Sequence, residues 1–334
     1  MTAAGFAAVG AALLATEGLA VVAPGDPTPV AALVAVVLVA VGSPHGAMDH
    51  VALLDGRGRA GGSRWRAAVP DLRLAAGYLA VAGAALVGYL VAPTAGFALF
   101  LVLSVLHFGA GEIGFAVERG VARGWADPRG WAAALGGGVV VVVPLASPAA
   151  EAAVAAVDPR LIPVLAPLPT IAAAVAAATV LAVAGCTIAA ITGRNRGAAL
   201  VAAELTALLA LAWLAHPLLA FGAYFAGWHA LRHQARLADL VADVPSGPGA
   251  RTTAPGALGR VARSAVPGLP ATAVVVATAV PLVMWGQSLL GALLALVWAL
   301  TVPHSTAVAV MEVRRHRRAA GPPVLTRASG RPAA

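Results

Sequence analysis

The sequence contains no lysine: all 22 basic residues are arginine. Beside so much alanine, glycine and valine, this absence reads as a compositional bias of the source genome, and no function follows from it. Charge of either sign is scarce. Only 11% of the 334 residues are charged, against about a quarter in soluble domains, which excludes an ordinary globular protein. A single cysteine, Cys186, excludes an internal disulfide and a cluster of thiolate ligands, and it suits a small apolar position on a helix. No nucleotide-binding glycine loop, strong internal repeat or soluble domain can be read. Aromatic residues make up just 5%, so any place where they gather stands out.

What is present in abundance is apolar length. Hydrophobic residues account for 60% of the chain and mean hydropathy is +0.88. The fold expected is an all-α, polytopic integral membrane helix bundle. Ten stretches approach the roughly 20 residues that a spanning helix requires. They cover about 3–23, 30–53, 72–92, 95–117, 130–147, 168–191, 198–214, 217–238, 268–287 and 289–312, within a single membrane domain. Turn chemistry separates them, as at Pro24-Gly25-Asp26-Pro27, Pro93-Thr94, Asp127-Pro128 and His216-Pro217.

Arginine placement tests this partition. Alternate loops and tails place 21 of the 22 arginines on one side and only Arg160 on the other. The positive-inside rule then makes both termini cytoplasmic, in a multi-pass plasma-membrane protein. This distribution also explains the net charge of +8 without nucleic acid: the arginines are topology signals, not a phosphate-binding face. The first 23 residues lack the basic start of a signal peptide and carry Glu17, which favours a packed helix. Residues 239–267 read as a flexible cytoplasmic loop. Residues 313–334 read as a basic cytoplasmic tail against anionic lipid.

Six of the eight histidines fall inside or at the ends of these apolar stretches: His45, His50, His107, His229, His233 and His304. Ionisable groups in lipid are costly and need a partner or a task. The helices bearing His45, His107, His229 and His304 are the second, fourth, eighth and tenth, all running the same way. At about 1.5 Å per residue these four lie roughly 18–24 Å below the outer edge of a ~30 Å hydrocarbon core. Matched depth points to one shared site. His229 and His233, at i and i+4, project from one helix face. Asp49 stands four residues after His45 and is placed to fix its tautomer, with Glu112 in a similar but poorer position near His107. His50 lies at the cytoplasmic interface. A lone intramembrane histidine such as His304 also suits a packing hydrogen bond, while His216 in a turn and His316 in the tail read as solvated. Imidazoles without thiolate suit Fe(II), Zn or Cu. The scarce aromatics gather here as Phe108, Phe115, Phe221, Tyr224, Phe225 and Trp228, either lining a slot for a flat apolar substrate or filling core.

Pro44-His45-Gly46 with Asp49-His50, His107-Phe108-Gly109, Trp228-His229-x-x-Arg232-His233 and Pro303-His304 together resemble the Brp/Blh-type β-carotene 15,15′-dioxygenases. These are bacterial and archaeal membrane proteins related to the bacteriorhodopsin-related protein. The resemblance runs from about residue 30 to 312, in order and with similar spacing. It implies a non-haem Fe(2+) held by His45, His107, His229 and His233. It further implies that O2 cleaves the central double bond of all-trans-β-carotene into two all-trans-retinal, available for delivery to a rhodopsin. In that picture Asp49, His50, Glu112 and His304 support the ligands or add to them, and Phe108, Phe221, Tyr224, Phe225 and Trp228 line the substrate. One departure is Glu112, where the family pattern carries Asp. The residues by themselves leave two other classes open: a haem-binding or electron-transfer membrane protein, and a proton-coupled transporter. A di-iron desaturase needs roughly twice as many histidines.

Overall fold

The computed structural model describes residues 2–47, 49, 72–193, 196–241, 259, 261–263 and 265–319. Among these residues the fold is all-helical. The chain runs through α1 (Thr2–Val22), α2 (Thr28–Gly42) and the single turn α3 (Pro44–Ala47). Next come α4 (Leu72–Val91), α5 (Pro93–Glu118) and α6 (Pro128–Val142). A short α7 (Ala150–Val157) precedes α8 (Leu168–Ile191) and α9 (Arg196–Leu214). Three consecutive windings then form one rod: α10 (Pro217–Gly222), a π-helix over Ala223–Ala230, and α11 (Leu231–Val241). Finally come α12 (Leu269–Met284) and α13 (Leu289–Ala319).

The helix ends follow local chemistry. Pro93, Pro128 and Pro217 open α5, α6 and α10, where a missing N–H costs nothing. Asp127 caps α6 by accepting from the Arg129 N–H at 3.0 Å. Gly120, Gly193 and Gly286 follow α5, α8 and α12 with φ of +68°, +68° and +92°, the left-handed geometry that releases a chain from a helix.

Among the described residues, seven helices are long and apolar enough to cross a membrane: Thr2–Val22, Thr28–Ala47, Arg73–Val91, Pro93–Glu118, Leu168–Ile191, Gly197–Leu214 and Leu289–Val313. They match seven of the ten expected spans. The other three are helical but shorter or interrupted. The stretch 130–147 is the 15-residue α6 with a 3-10 turn, 217–238 is the rod of three windings, and 268–287 is the 16-residue α12. Burial explains part of the difference, because α6 is wrapped by its neighbours: Gly136 to Val143 are all buried. By contrast α8 buries only Leu168, Ala172, Thr179 and Cys186 along 24 residues and presents Leu181 and Ile191 outward. A greasy exterior of this kind is compatible with a multi-pass membrane protein.

Close packing of α5 on α6 rests on bare backbone. A Cβ added to Gly137 would lie 2.4 Å from the Gly109 nitrogen, so the two helices touch through glycine. At the opposite end from α11, the expected loop between α6 and α8 folds into a cap made of α7 and the 3-10 segment Pro159–Leu165. Ser288 ties this cap down by donating to the carbonyls of Ala156 at 2.8 Å and Val157 at 3.0 Å. His216 is not solvated, as its turn position suggested. It is buried, and its Nδ1 accepts the Leu218 N–H at 3.4 Å to cap α10. His50 and the segments 51–71, 242–258 and 320–334 lie outside the described residues. They include most of the expected loop 239–267 and much of the expected tail.

Candidate metal centre

Five histidines from five stretches of chain converge in the bundle. His45 comes from α3, His107 from α5, His229 from the π-helix, His233 from α11 and His304 from α13, and all five are buried. Prolines and irregular winding lie beside three of them: Pro44 opens the turn that carries His45, Pro303 precedes His304 inside α13, and His229 stands in the π-helix.

Ligand atoms of His45, His229 and His304 lie within 4.8 Å of one another, and so do those of Asp49, His233 and His304. His107 joins with its Nε2 at 3.2 Å from His229 Nε2 and its ring centroid 4.8 Å from that of His304. The His45 ring stands 5.3, 5.6 and 5.0 Å from those of His229, His233 and His304, each pair nearly perpendicular. Edge-to-face rings around one centre present nitrogens, not faces, to a common point.

Hydrogen bonds outside the cluster set the tautomers. His45 Nδ1–H donates to the Gly42 carbonyl, which leaves Nε2 as its free lone pair. His304 Nδ1–H donates to both oxygens of Asp49 at 2.8 Å, and Tyr78 supports that carboxylate with an O–H bond of 2.8 Å. This carboxylate–imidazole pairing is the arrangement that orients metal-ligating histidines. The Nε2 atoms of His233 and His304 are buried with no hydrogen-bond partner. A buried nitrogen left unpaired costs about 1–3 kcal/mol, and a metal ion would satisfy both at once. Two imidazole nitrogens bound cis to one ion at about 2.1 Å would stand roughly 3 Å apart, close to the 3.2 Å between His107 and His229. The donor set therefore fits a metal of the Fe(II), Zn or Cu type.

Several expected partners are rearranged. Asp49 serves His304, not His45, whose Nδ1–H is already given to the Gly42 carbonyl. Glu112 does not support His107. It turns to the rod instead, where it accepts from Trp228 Nε1 at 2.9 Å, from Tyr224 O–H at 3.1 Å and from Arg232. Arg232 also reaches Glu204 at 2.7 Å, and Glu204 holds Arg119 through two bonds of 2.8 and 2.7 Å. The Arg232 guanidinium lies 4.1 Å from the ring centres of both Phe115 and Trp228. A buried charge clamp thus backs the helix that carries His229 and His233. Glu204 and Tyr78 were missed by sequence reasoning. A charged Glu inside the apolar stretch 198–214 was the available signal for the first, whereas Tyr78 offered none.

An apolar slot opens beside the histidines. Phe108, Phe221 and Phe225 line it with Phe100 and Val297. Phe100, Ser104 and Phe221 also line a second apolar cavity that runs on beneath α7, bounded by Val141, Val154 and Leu294. Tyr224 and Trp228, expected in the lining, turn their polar ends to Glu112 instead, since a buried O–H or N–H needs an acceptor.

Fold and site together define an all-helical protein, compatible with a multi-pass membrane protein, with a buried histidine cluster beside an apolar cavity. The chain matches the β-carotene 15,15′-dioxygenase family over residues 5–312, and it belongs to that family. The match covers every histidine of the cluster. No match was found among the curated proteins or among the solved structures.

Proposed function

We propose that the protein cleaves all-trans-β-carotene with O2 at its central double bond, giving two all-trans-retinal. A non-haem Fe(2+) held by His45, His107, His229 and His233 carries the reaction, with His304 as a further ligand oriented by Asp49 and Tyr78. The observation that carries this reading is the convergence of five buried imidazoles, two with unpaired Nε2 and four lining an apolar slot. Bound iron would supply the redox chemistry that lets O2 react with a closed-shell polyene.

The chain's own residues do the rest. Phe100, Phe108, Phe221 and Phe225 hold an extended apolar chain beside the imidazoles and keep bulk water out. Gly42 and Asp49 fix which nitrogen of His45 and His304 is free, so no proton has to move before the site is competent. The Arg232–Glu112–Glu204 clamp holds the π-helix segment in place from behind. No general base is required, consistent with both nearby carboxylates being committed to other groups. The 3.2 Å between the Nε2 atoms of His107 and His229 leaves no room for a porphyrin between that pair, which speaks against haem.

In this reading the chain crosses the plasma membrane ten times with both termini cytoplasmic. The substrate enters from the bilayer, and retinal leaves toward a rhodopsin. Expression in cells that accumulate β-carotene tests the activity. Loss of the carotenoid with stoichiometric retinal, abolished by His229→Ala, is the expected result. Intact β-carotene in the presence of folded, iron-loaded protein would overturn it.

A further inference from the structure

Four hydroxyl groups line the slot and its inner extension, and three are already engaged. Ser43 Oγ donates to the Val39 carbonyl at 2.7 Å and Thr301 Oγ1 to the Val297 carbonyl at 2.7 Å. Tyr78 O–H serves Asp49. Ser104 is different. It is 2% exposed, its Oγ has no hydrogen-bond partner, and it lines both cavities at their junction.

Several buried or half-buried hydroxyls on these helices fold back to the carbonyl four residues earlier, as Thr16, Thr179 and Thr206 do at 2.9, 2.7 and 2.8 Å. Ser147 and Ser305 share with Ser104 a buried Oγ that has no partner, but neither lines either cavity. Ser104 makes no such bond with Phe100. Its helix also carries His107, three residues on and about 4.5 Å further along the axis, on the same side. An alcohol is therefore held, unsatisfied, one helical turn from the metal centre in a cavity otherwise made of phenyl rings and aliphatic chains. An unmade buried hydrogen bond is costly, and hydrophobic lining would have filled the same space with alanine or valine.

A pure hydrocarbon offers this group nothing. Cleavage changes that. One C=C bond and one O2 become two C=O groups, each carbon of the broken bond receiving one oxygen, with no proton or leaving group released. We infer that Ser104 is a product-binding residue whose hydroxyl donates a hydrogen bond to the new aldehyde of the half lying in the inner cavity. That cavity is capped by α7 through Ala153, Val154 and Val157, so this half is enclosed at its far end and held at its polar end. The half on the other side of the cluster meets Ser43 and Thr301, whose hydroxyls are occupied. The two identical products are thus distinguished by where they sit, and the inner one leaves last. This inference rests on the carotenoid-cleaving function proposed above.

The test uses full-length, iron-loaded protein in lipid nanodiscs without O2, so that nothing turns over. All-trans-retinal and a polyene of the same length ending in methyl are titrated into wild type, Ser104→Ala and Ser104→Thr. The retinal carbonyl stretch is recorded by infrared difference spectroscopy. Loss of one hydrogen bond of about 1 kcal/mol predicts retinal binding weakened about fivefold in Ser104→Ala. The carbonyl stretch should rise, methyl-polyene binding should stay unchanged, and Ser104→Thr should restore both signals. Equal loss for both ligands, or an unmoved carbonyl stretch, would overturn the assignment while leaving carotenoid cleavage intact. Failure of the wild type to bind either polyene would instead overturn the functional reading on which it rests.

Discussion

Replacing Glu112 by alanine isolates the role of the buried clamp. Three donors converge on this carboxylate: Trp228 Nε1, Tyr224 O–H and the Arg232 guanidinium. Truncation leaves the indole and phenol unpaired at about 1–3 kcal/mol each, and it strips Arg232 of one of two partners. Breaking a buried ion pair costs about 3–5 kcal/mol, but Glu204 still holds the other side of Arg232 at 2.7 Å, which places this part near the low end. Because the terms share one site they do not add, and the expected loss is about 3–5 kcal/mol overall. Glu112→Gln keeps an acceptor for the ring donors and should cost about 2 kcal/mol. Glu112→Ala combined with Arg232→Met removes both charges, leaves Glu204 paired with Arg119, and should recover part of the loss. Unfolding in mixed micelles, followed by tryptophan fluorescence, gives these numbers. The iron content of each variant tests whether the loss reaches His229 and His233. A Glu112→Ala protein within about 1 kcal/mol of wild type, or a double variant no better than the single one, would refute the reasoning.

His304→Ala should release iron to a chelator more readily than wild type, and unchanged iron retention would remove His304 from the site. Asp49→Asn, which weakens the acceptor for His304 Nδ1–H and Tyr78 O–H, should lower iron affinity about 10–100-fold by chelator competition. Gly137→Ala drives a methyl into the backbone of Gly109, two residues from His107. It should cost at least about 1–3 kcal/mol in thermal unfolding and lower cleavage activity with it. Asp127→Ala should cost about 1 kcal/mol at neutral pH. The hydrogen bond from the Arg129 side chain holds the Asp127 carboxyl down to about 2, below the unfolded value near 3.9. That contribution is therefore present above about pH 4 and lost as pH falls through about 2, so a melting series over that range should converge on the variant only at its acid end.

Membrane character and the histidine cluster were legible because lipid makes polar residues conspicuous. His45, His107, His229 and His304 stood out at matched depth, and the structure brings their rings together. Spans were legible where a helix faces outward, as α8 does. They were blurred where burial removes the need for length, as in α6. What the pattern could not show was which partner each polar group takes, since that depends on tertiary packing. The Gly42 carbonyl takes the Nδ1–H of His45, so Asp49 goes to His304, and Tyr224 and Trp228 turn from the slot to Glu112. Neither pairing leaves a periodic trace in an alanine-rich sequence.

The π-helix over Ala223–Ala230 also makes the length of its segment a fixed quantity. A one-residue deletion there that the winding did not absorb would turn everything downstream by about 100°. His233, Arg232 and Arg236 would swing away together, emptying the histidine cluster and the charge clamp in one event. Most positions in this stretch can therefore exchange side chains within limits of size, but the number of residues between Pro217 and His233 cannot change. The segment works as an index, and its count is as much a part of the metal site as the imidazoles themselves.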